Sequence, residues 1–236
     1  SVAMILTSGG SRICTGALVN NVMQDQTQYF LTANHCLGGN NYWIFMFNYE
    51  SSGCSNSNGP TYQTVQGSSL KASHGTPDFA LLEINESIPS SYNVFYAGWS
   101  NINSAPSSSV GIHHPNGDIK KISFDNNAAS SASWEGPFGT HWRILEWEDG
   151  TTEPGSSGSP LFDQNHRIIG QLSGGEASCS YNYNDYYGKV AESWNYGSSS
   201  SSRLRDWLDP YNTGESTLDG TYNGQILGCT DENAKG

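Results

Sequence analysis

Three residues of this chain are of types and in settings that could make and break acyl bonds: Ser157, His35 and Asp78. Ser157 lies in Glu153-Pro154-Gly155-Ser156-Ser157-Gly158-Ser159-Pro160, where a serine sits between glycines. Gly155 and Gly158 allow a tight main-chain turn that side-chain bulk would block, so the N–H groups of Gly155 and Ser157 can point at one developing oxyanion. Ser157 is therefore the candidate nucleophile, although Gly/Ser/Pro clusters also mark ordinary loops. His35 follows the apolar run Gln28-Tyr29-Phe30-Leu31-Thr32-Ala33 and adjoins Cys36. A lone histidine is more often a hydrogen-bonded structural residue. A catalytic base needs a strand end that projects it into a cleft, and a Cys36 to Cys14 disulfide would clamp this loop to the preceding strand. Asp78 opens Phe79-Ala80-Leu81-Leu82-Glu83-Ile84. A carboxylate entering such a run is poorly placed for solvent and requires a hydrogen-bonding partner, for which we select His35. His74 falls in a polar stretch and reads as a surface residue.

The elements that must position these groups are mostly strands. The 236 residues suffice for one large domain or two subdomains. With 27 Gly, 13 Tyr and 7 Trp but only 14% charged residues, the composition favours a β-rich, turn-rich chain over a helical bundle. Short strands are expected on both sides of a turn at Ser8-Gly9-Gly10, at Cys14 to Val19, at Gln28 to Ala33, and at Phe79 to Ile84. Tyr42 to Phe47 reads as a buried strand. After a Ser/Asn/Pro-rich stretch that places a boundary near Ser100 to Ser109, further strands are expected at Val110 to Pro115, Ser131 to Trp134, Trp142 to Trp147, Arg167 to Leu172 and around Gly188-Lys189-Val190. Leu204, Trp207 and Leu208 at i, i+3, i+4, with Ser202 as cap and Pro210 as stop, predict a short amphipathic helix. The resulting division is 1–100 carrying His35 and Asp78, 101–212 carrying Ser157, and an aperiodic extension 213–236, extended or mobile.

Ten basic against 22 acidic residues give a net charge of −12, which excludes a surface built for nucleic acid or anionic membranes and favours basic partners. No apolar run approaches the ~18 to 20 residues of a membrane span. Cys14, Cys36, Cys54, Cys179 and Cys229 are widely spread with no Cys-x-x-Cys pair. That fits disulfides in an oxidising compartment better than zinc, and the odd count leaves one unpaired or paired outside the chain. Adjacent His113 and His114 point to opposite sides if extended, so they read as structural. No metal and no cofactor is expected.

The order His35, Asp78, Ser157, spread over both halves, resembles that of the chymotrypsin-like serine proteases. Leu31-Thr32-Ala33-Asn34-His35-Cys36 is similar to that family's histidine loop, Asp78-Phe79-Ala80-Leu81-Leu82 to its aspartate strand, and Gly155-Ser156-Ser157-Gly158-Ser159-Pro160 to its serine loop. More narrowly, Cys14-Thr15-Gly16-Ala17-Leu18-Val19-Asn20-Asn21, His113-His114-Pro115, Thr152 to Pro160 and Ser202 to Pro210 resemble the bacterial lysyl endopeptidases, over roughly residues 1–220. The resemblance implies an all-β fold of two six-stranded antiparallel β-barrels with a short C-terminal helix and an active site in the seam. It implies a secreted, monomeric enzyme acting on protein or peptide substrates.

In that family an aspartate before a Tyr-Gly step lies at the base of the pocket for the residue preceding the cut, and Asn184-Asp185-Tyr186-Tyr187-Gly188 supplies Asp185 here. A carboxylate in a narrow pocket pairs with a substrate ammonium, so a basic side chain is expected, Lys ahead of Arg by resemblance. Thr152 and the Ser173-Gly174-Gly175 stretch would complete the pocket, and Trp134 resembles the tryptophan packed near the catalytic histidine. An acid-specific endopeptidase on this fold would want a basic or His-lined pocket in place of Asp185. A silent binding homologue would normally have lost one of the three central residues.

Three departures stand out. Lysyl endopeptidases often carry a histidine where this chain has Ser173. The counterparts of Cys54 and Cys179 bond to cysteines of an N-terminal segment, so either that segment has been lost or Cys229 pairs with one of the two. Ser156 replaces the aspartate with which trypsin binds its newly freed N-terminus, which argues against activation by that ion pair.

Overall fold

The computed structural model describes residues 1–222. Seven strands build the first sheet: β1 (Val2–Leu6), β2 (Arg12–Leu18), β3 (Tyr29–Ala33), β4 (Ile44–Phe47), β5 (Thr64–Gln66), β6 (Ser68–His74) and β7 (Phe79–Ile84), in the order β5-β4-β1-β2-β3-β7-β6. The two edge segments are consecutive in the chain and flank Gly67, whose φ of +82° makes the corner. β5 pairs with β4 and β6 with β7, so one bent strand joins both edges and the sheet closes as a six-stranded barrel.

The second sheet repeats this device. After β8 (Phe95–Tyr96) and β9 (Trp99–Ser100) come β10 (Ser109–His113), β11 (Lys121–Asp125), β12 (Ser130–Ala132), β13 (His141–Glu146), β14 (Pro160–Asp163), β15 (Ile168–Gly175) and β16 (Tyr183–Lys189). Their order is β11-β10-β14-β15-β16-β13-β12, again with consecutive edge strands. β9 adds to β15 in parallel through Trp99 and Ile168.

Alternation explains why several strands are apolar at nearly every position. Along β7, Leu82 and Ile84 enter the core of the first barrel, with Phe30, Phe45 and Trp43. Phe79 and Leu81 point the other way, into a core shared with Trp99, Phe162, Ile168, Val190, Trp194, Leu204 and Leu208. That shared core glues the two barrels along the seam. A third cluster, including Trp142, Ile144, Trp147, Leu161 and Tyr187, fills the second barrel.

The expected strands are present, with four local corrections. Tyr42 lies in a 3-10 turn (Asn40–Tyr42) and is 65% exposed, because the buried strand begins only at Ile44. His74 ends β6 and packs on the Tyr196 ring at 4.3 Å, so it is not in a loop. Val190 does not continue a strand but starts helix α1 (Val190–Asn195), whose Val190, Ser193 and Trp194 are buried. The second helix, α2 (Arg205–Leu208), is a single turn preceded by Leu204. Ser202 closes a capping box with Ser199 around the 3-10 turn Ser200–Ser202 and does not cap α2. The described part of the C-terminal extension is extended: β17 (Thr217–Leu218) pairs with β9, and β18 (Thr221–Tyr222) with β8. Cys229 lies outside the described residues. Among those residues no helix is long and apolar enough to cross a membrane.

Candidate active site

His35 occupies a 3-10 turn, Asn34–Cys36, that terminates β3. Three bonds hold the turn: Cys36 forms a disulfide with Cys14 of β2, the Asn34 N–H donates to Asp78 O at 2.9 Å, and the His35 N–H donates to Asp78 Oδ1 at 2.9 Å. The remaining carboxylate oxygen, Oδ2, accepts from His35 Nδ1 at 2.7 Å. Asp78 therefore fixes both the position and the tautomer of the imidazole, leaving Nε2 toward the seam. Its own φ of +53° is a costly conformation for a non-glycine residue and is retained by these contacts. The hydrogen bond to Asp78 raises the His35 pKa above its usual 6.5, against the opposing effect of partial burial. The His35 side chain remains 42% exposed while that of Asp78 is 10% exposed, so the imidazole faces solvent and the carboxylate that holds it does not.

Ser157 reaches the same seam from the second barrel. Its carbonyl accepts from Thr15 N at 2.8 Å, and Gly158 lies so close to Thr15, Thr32 and Ala33 that a Cβ there would collide with all three. Thr32 and Ala33 lead into His35, and Thr15 follows Cys14, the disulfide partner of Cys36. The three candidates are thus brought to one seam, without a direct hydrogen bond between Ser157 and His35. Gly155 and Gly158 take φ of +93° and +78°. Neither the Gly155 nor the Ser157 amide finds an acceptor among the described residues, whereas Ser156 N donates to Glu153 O and Gly158 N to Leu172 O. Two free donors flanking the serine are what an oxyanion hole supplies.

On β16, Asp185 is 1% exposed. Its Oδ2 accepts from Thr152 Oγ1 and from Trp147 Nε1, both at 2.7 Å. Burial pushes its pKa up to about 6, although both hydrogen bonds oppose the shift. No cation pairs with it among the described residues. A Cβ on Gly175 would collide with Asp185 Oδ1, so Gly175 leaves the approach to the carboxylate open. Trp134 lies against Gly174 and is inclined to Tyr186 at 5.1 Å between ring centres. Ser173 does not turn its hydroxyl toward Asp185; it meets His141 Nε2 at 3.0 Å.

Sequence reasoning missed Trp147 as a ligand of Asp185 and missed His141 altogether. His141 is fully buried, bonded through Nδ1 to Thr140 Oγ1 at 2.9 Å, and its pKa is lowered to about 4 by burial. A histidine heading an apolar strand was the available signal. His113 and His114 are also fully buried, and burial lowers their pKa values to about 4 and about 3. Cys54 and Cys179 have no disulfide partner among the described residues, are exposed, and line one cleft of about 770 Å³. Donor atoms of Cys14, His35 and Cys36 cluster within 4.8 Å of one another, but both sulfurs are spent in the disulfide, leaving no thiolate for a metal.

Two closed barrels facing each other across a seam define the chymotrypsin-like serine protease fold. Solved structures agree: a thermostable serine protease, AL20, from an extremophilic microorganism matches with a TM-score of 0.56 at 15% identity, over 80% of this chain and 90% of that one. The protease Anisep of Arthrobacter nicotinovorans matches with 0.56 at 19% identity, over 80% and 89%. Human heparin binding protein matches with 0.53 at 16%, over 80% and 86%. Within this class, the family described as lysyl endopeptidase, C-terminal domain, matches residues 1–188, and the chain belongs to that family. A lysyl endopeptidase of Pseudomonas aeruginosa is 32% identical over 203 residues, covering 78% of this chain; the chain spans 43% of that relative's length.

Proposed function

We propose that this protein is a secreted serine endopeptidase cutting after basic residues, Lys preferred, through His35, Asp78 and Ser157. The observation that carries the specificity is Asp185: a carboxylate 1% exposed, held by neutral donors and with no cation paired to it among the described residues. Leaving such a charge uncompensated costs several kcal/mol, and a substrate ammonium lowered onto it relieves that cost. Membership of the lysyl endopeptidase family favours Lys over Arg.

In the mechanism, His35 Nε2 takes the Ser157 hydroxyl proton as Oγ attacks the carbonyl after the bound basic residue. Asp78 stabilises the imidazolium without accepting its proton. The amides of Gly155 and Ser157 receive the tetrahedral oxyanion, each for roughly 10²- to 10³-fold in rate. His35 returns the proton to the leaving amine, and water then attacks the acyl-enzyme by the same relay. Residues 1–100 and 101–212 act as the two barrels, and the Cys14–Cys36 disulfide suits an oxidising, extracellular setting. The acidic surface favours basic polypeptide substrates over nucleic acid or anionic membranes.

Matched chromogenic peptides ending in Lys, Arg, Glu or Phe test this reading. Turnover is expected for Lys and more weakly for Arg, lost in Ser157→Ala. A Glu or Phe preference would discard the pocket and keep the triad, while a folded wild type inert toward all four would discard both.

A further inference from the structure

Beneath the serine loop, Ser156 turns its side chain away from the seam and into the second barrel, where it is fully buried. Its Oγ accepts the Glu153 N–H at 3.2 Å and meets His113 Nδ1 at 2.9 Å. His113, on β10, is fully buried too, and its Nε2 meets Ser123 Oγ on β11 at 2.9 Å. Each hydroxyl carries one proton and two lone pairs, so a neutral imidazole satisfies both contacts, donating to one serine and accepting from the other. A neutral imidazole thus bridges the loop to two strands of the barrel. Burial, which lowers its pKa to about 4, keeps it neutral at ordinary pH.

The residues after His113 grip the same loop through its backbone. Asn116 N donates to Pro154 O at 2.6 Å. Thr15 Oγ1 donates to Gly155 O at 2.9 Å, and itself accepts from His114 N at 3.1 Å. In a trans peptide the C=O and N–H point in opposite directions, so holding Pro154 O aims the Gly155 N–H outward. Holding Gly155 O likewise restrains the next peptide, and the one after it, which carries the Ser157 N–H, is held where Ser159 N donates to Ser156 O at 2.9 Å.

We propose that the 113–117 segment is a built-in clamp of the oxyanion loop, with His113 a positioning residue that acts through Ser156. This rests on the reading of Gly155 and Ser157 as the oxyanion donors. A neutral, buried hydrogen-bond chain thereby does what a charged anchor at the Ser156 position does in trypsin. No newly freed N-terminus is needed to order the site.

The test compares wild type with Ser156→Ala, a shape-conserving change, in the full chain. Displacing donors without deleting them is expected to cost about ten- to hundredfold in kcat for a Lys chromogenic peptide, with KM within about twofold. A Lys peptide aldehyde, which mimics the tetrahedral state, should lose affinity by a similar factor, while a simple alkylamine bound in the pocket should not. His113→Asn, whose side-chain amide can donate or accept near the Nδ1 position, should retain more activity than His113→Leu. Amide exchange across residues 153–159 should quicken at least about tenfold in Ser156→Ala. A kcat and aldehyde affinity within twofold of wild type, or unchanged exchange, would overturn the clamp. Should wild type neither cleave peptides nor react with a fluorophosphonate, the reading of Ser157 fails, and the exchange comparison still decides the clamp.

Discussion

Asp78 and Asp185 are both largely withdrawn from water, one in each barrel, yet they are held in opposite ways. Asp78 is paired: it spends one oxygen on a backbone N–H and the other on His35, the group that becomes cationic in the proposed mechanism. Asp185 receives neutral hydrogen bonds, from Trp147, Thr152 and the Ala177 backbone. Burial drives the pKa of Asp185 up to about 6. A carboxylate whose partner is built in serves as an orienting device. One with no cation paired to it among the described residues suits a receptor for a cation, the role proposed for Asp185. The histidines repeat the contrast. His35, exposed and acid-paired, is pushed toward basicity, while His113, His114 and His141, buried without an acid partner, are pushed to about 4, 3 and 4.

The sharpest way to break this contrast is to neutralise each carboxylate. Asp78→Asn keeps the shape but favours the wrong imidazole tautomer, and should lower kcat by about 10⁴-fold for every peptide tested. Asp185→Asn should lower kcat/KM for Lys peptides by about 10²- to 10³-fold and leave Phe peptides nearly unchanged. Equal losses on Lys and Phe peptides in both variants would show that the two sites do not divide the work in this way.

The pH dependence separates them further. Asp185 becomes charged above about pH 6, so KM for Lys peptides should climb as pH falls through 6 and stay flat in Asp185→Asn. His35 must be neutral to accept a proton, so kcat/KM for all peptides should rise with pH through a value above 6.5. A profile for Lys peptides identical in wild type and Asp185→Asn would argue against a titrating pocket carboxylate.

The smallest effect expected is on stability. A histidine whose folded pKa lies below its unfolded 6.5 binds its proton more readily when unfolded. Stability from His113, His114 and His141 is therefore complete above about pH 6.5 and lost as pH falls toward 4 and below. Asp185 and Asp125, both raised to about 6, act with opposite sign between about 6 and 3.8 but are fewer and less shifted. Thermal unfolding should show Tm falling by several degrees between pH 7 and 4, by an amount corresponding to about 2 kcal/mol or more. A flat or rising Tm would mean that these histidines are not buried neutral.

Legibility followed the range of the interactions. Ser157 with its flanking glycines, and His35 and Asp78 at strand ends, were readable because each is announced by neighbours within a few residues. β6 escaped notice because Ser68 to His74 offers only Leu70 and Ala72 as apolar residues, and α1 because six residues are too few to show a helical period. The pocket around Asp185 was readable only through likeness to a family; that Trp147 and Thr152 share its Oδ2 was not, since 38 and 33 residues separate them from it.

Composition and local pattern by themselves determined a β-rich chain in two halves, with a base, an acid and a nucleophile each at the end of an element. Only the tertiary structure decided that Gly67 would close the first barrel and that Gly158 would press Ser157 onto Thr15 and Thr32. It alone set His113 beneath Ser156, 43 residues away in sequence. The reason is physical. Strand identity and turn type depend on side-chain periodicity and on a residue's own φ and ψ, whereas closure, seam and clamp depend on which distant surfaces exclude water together.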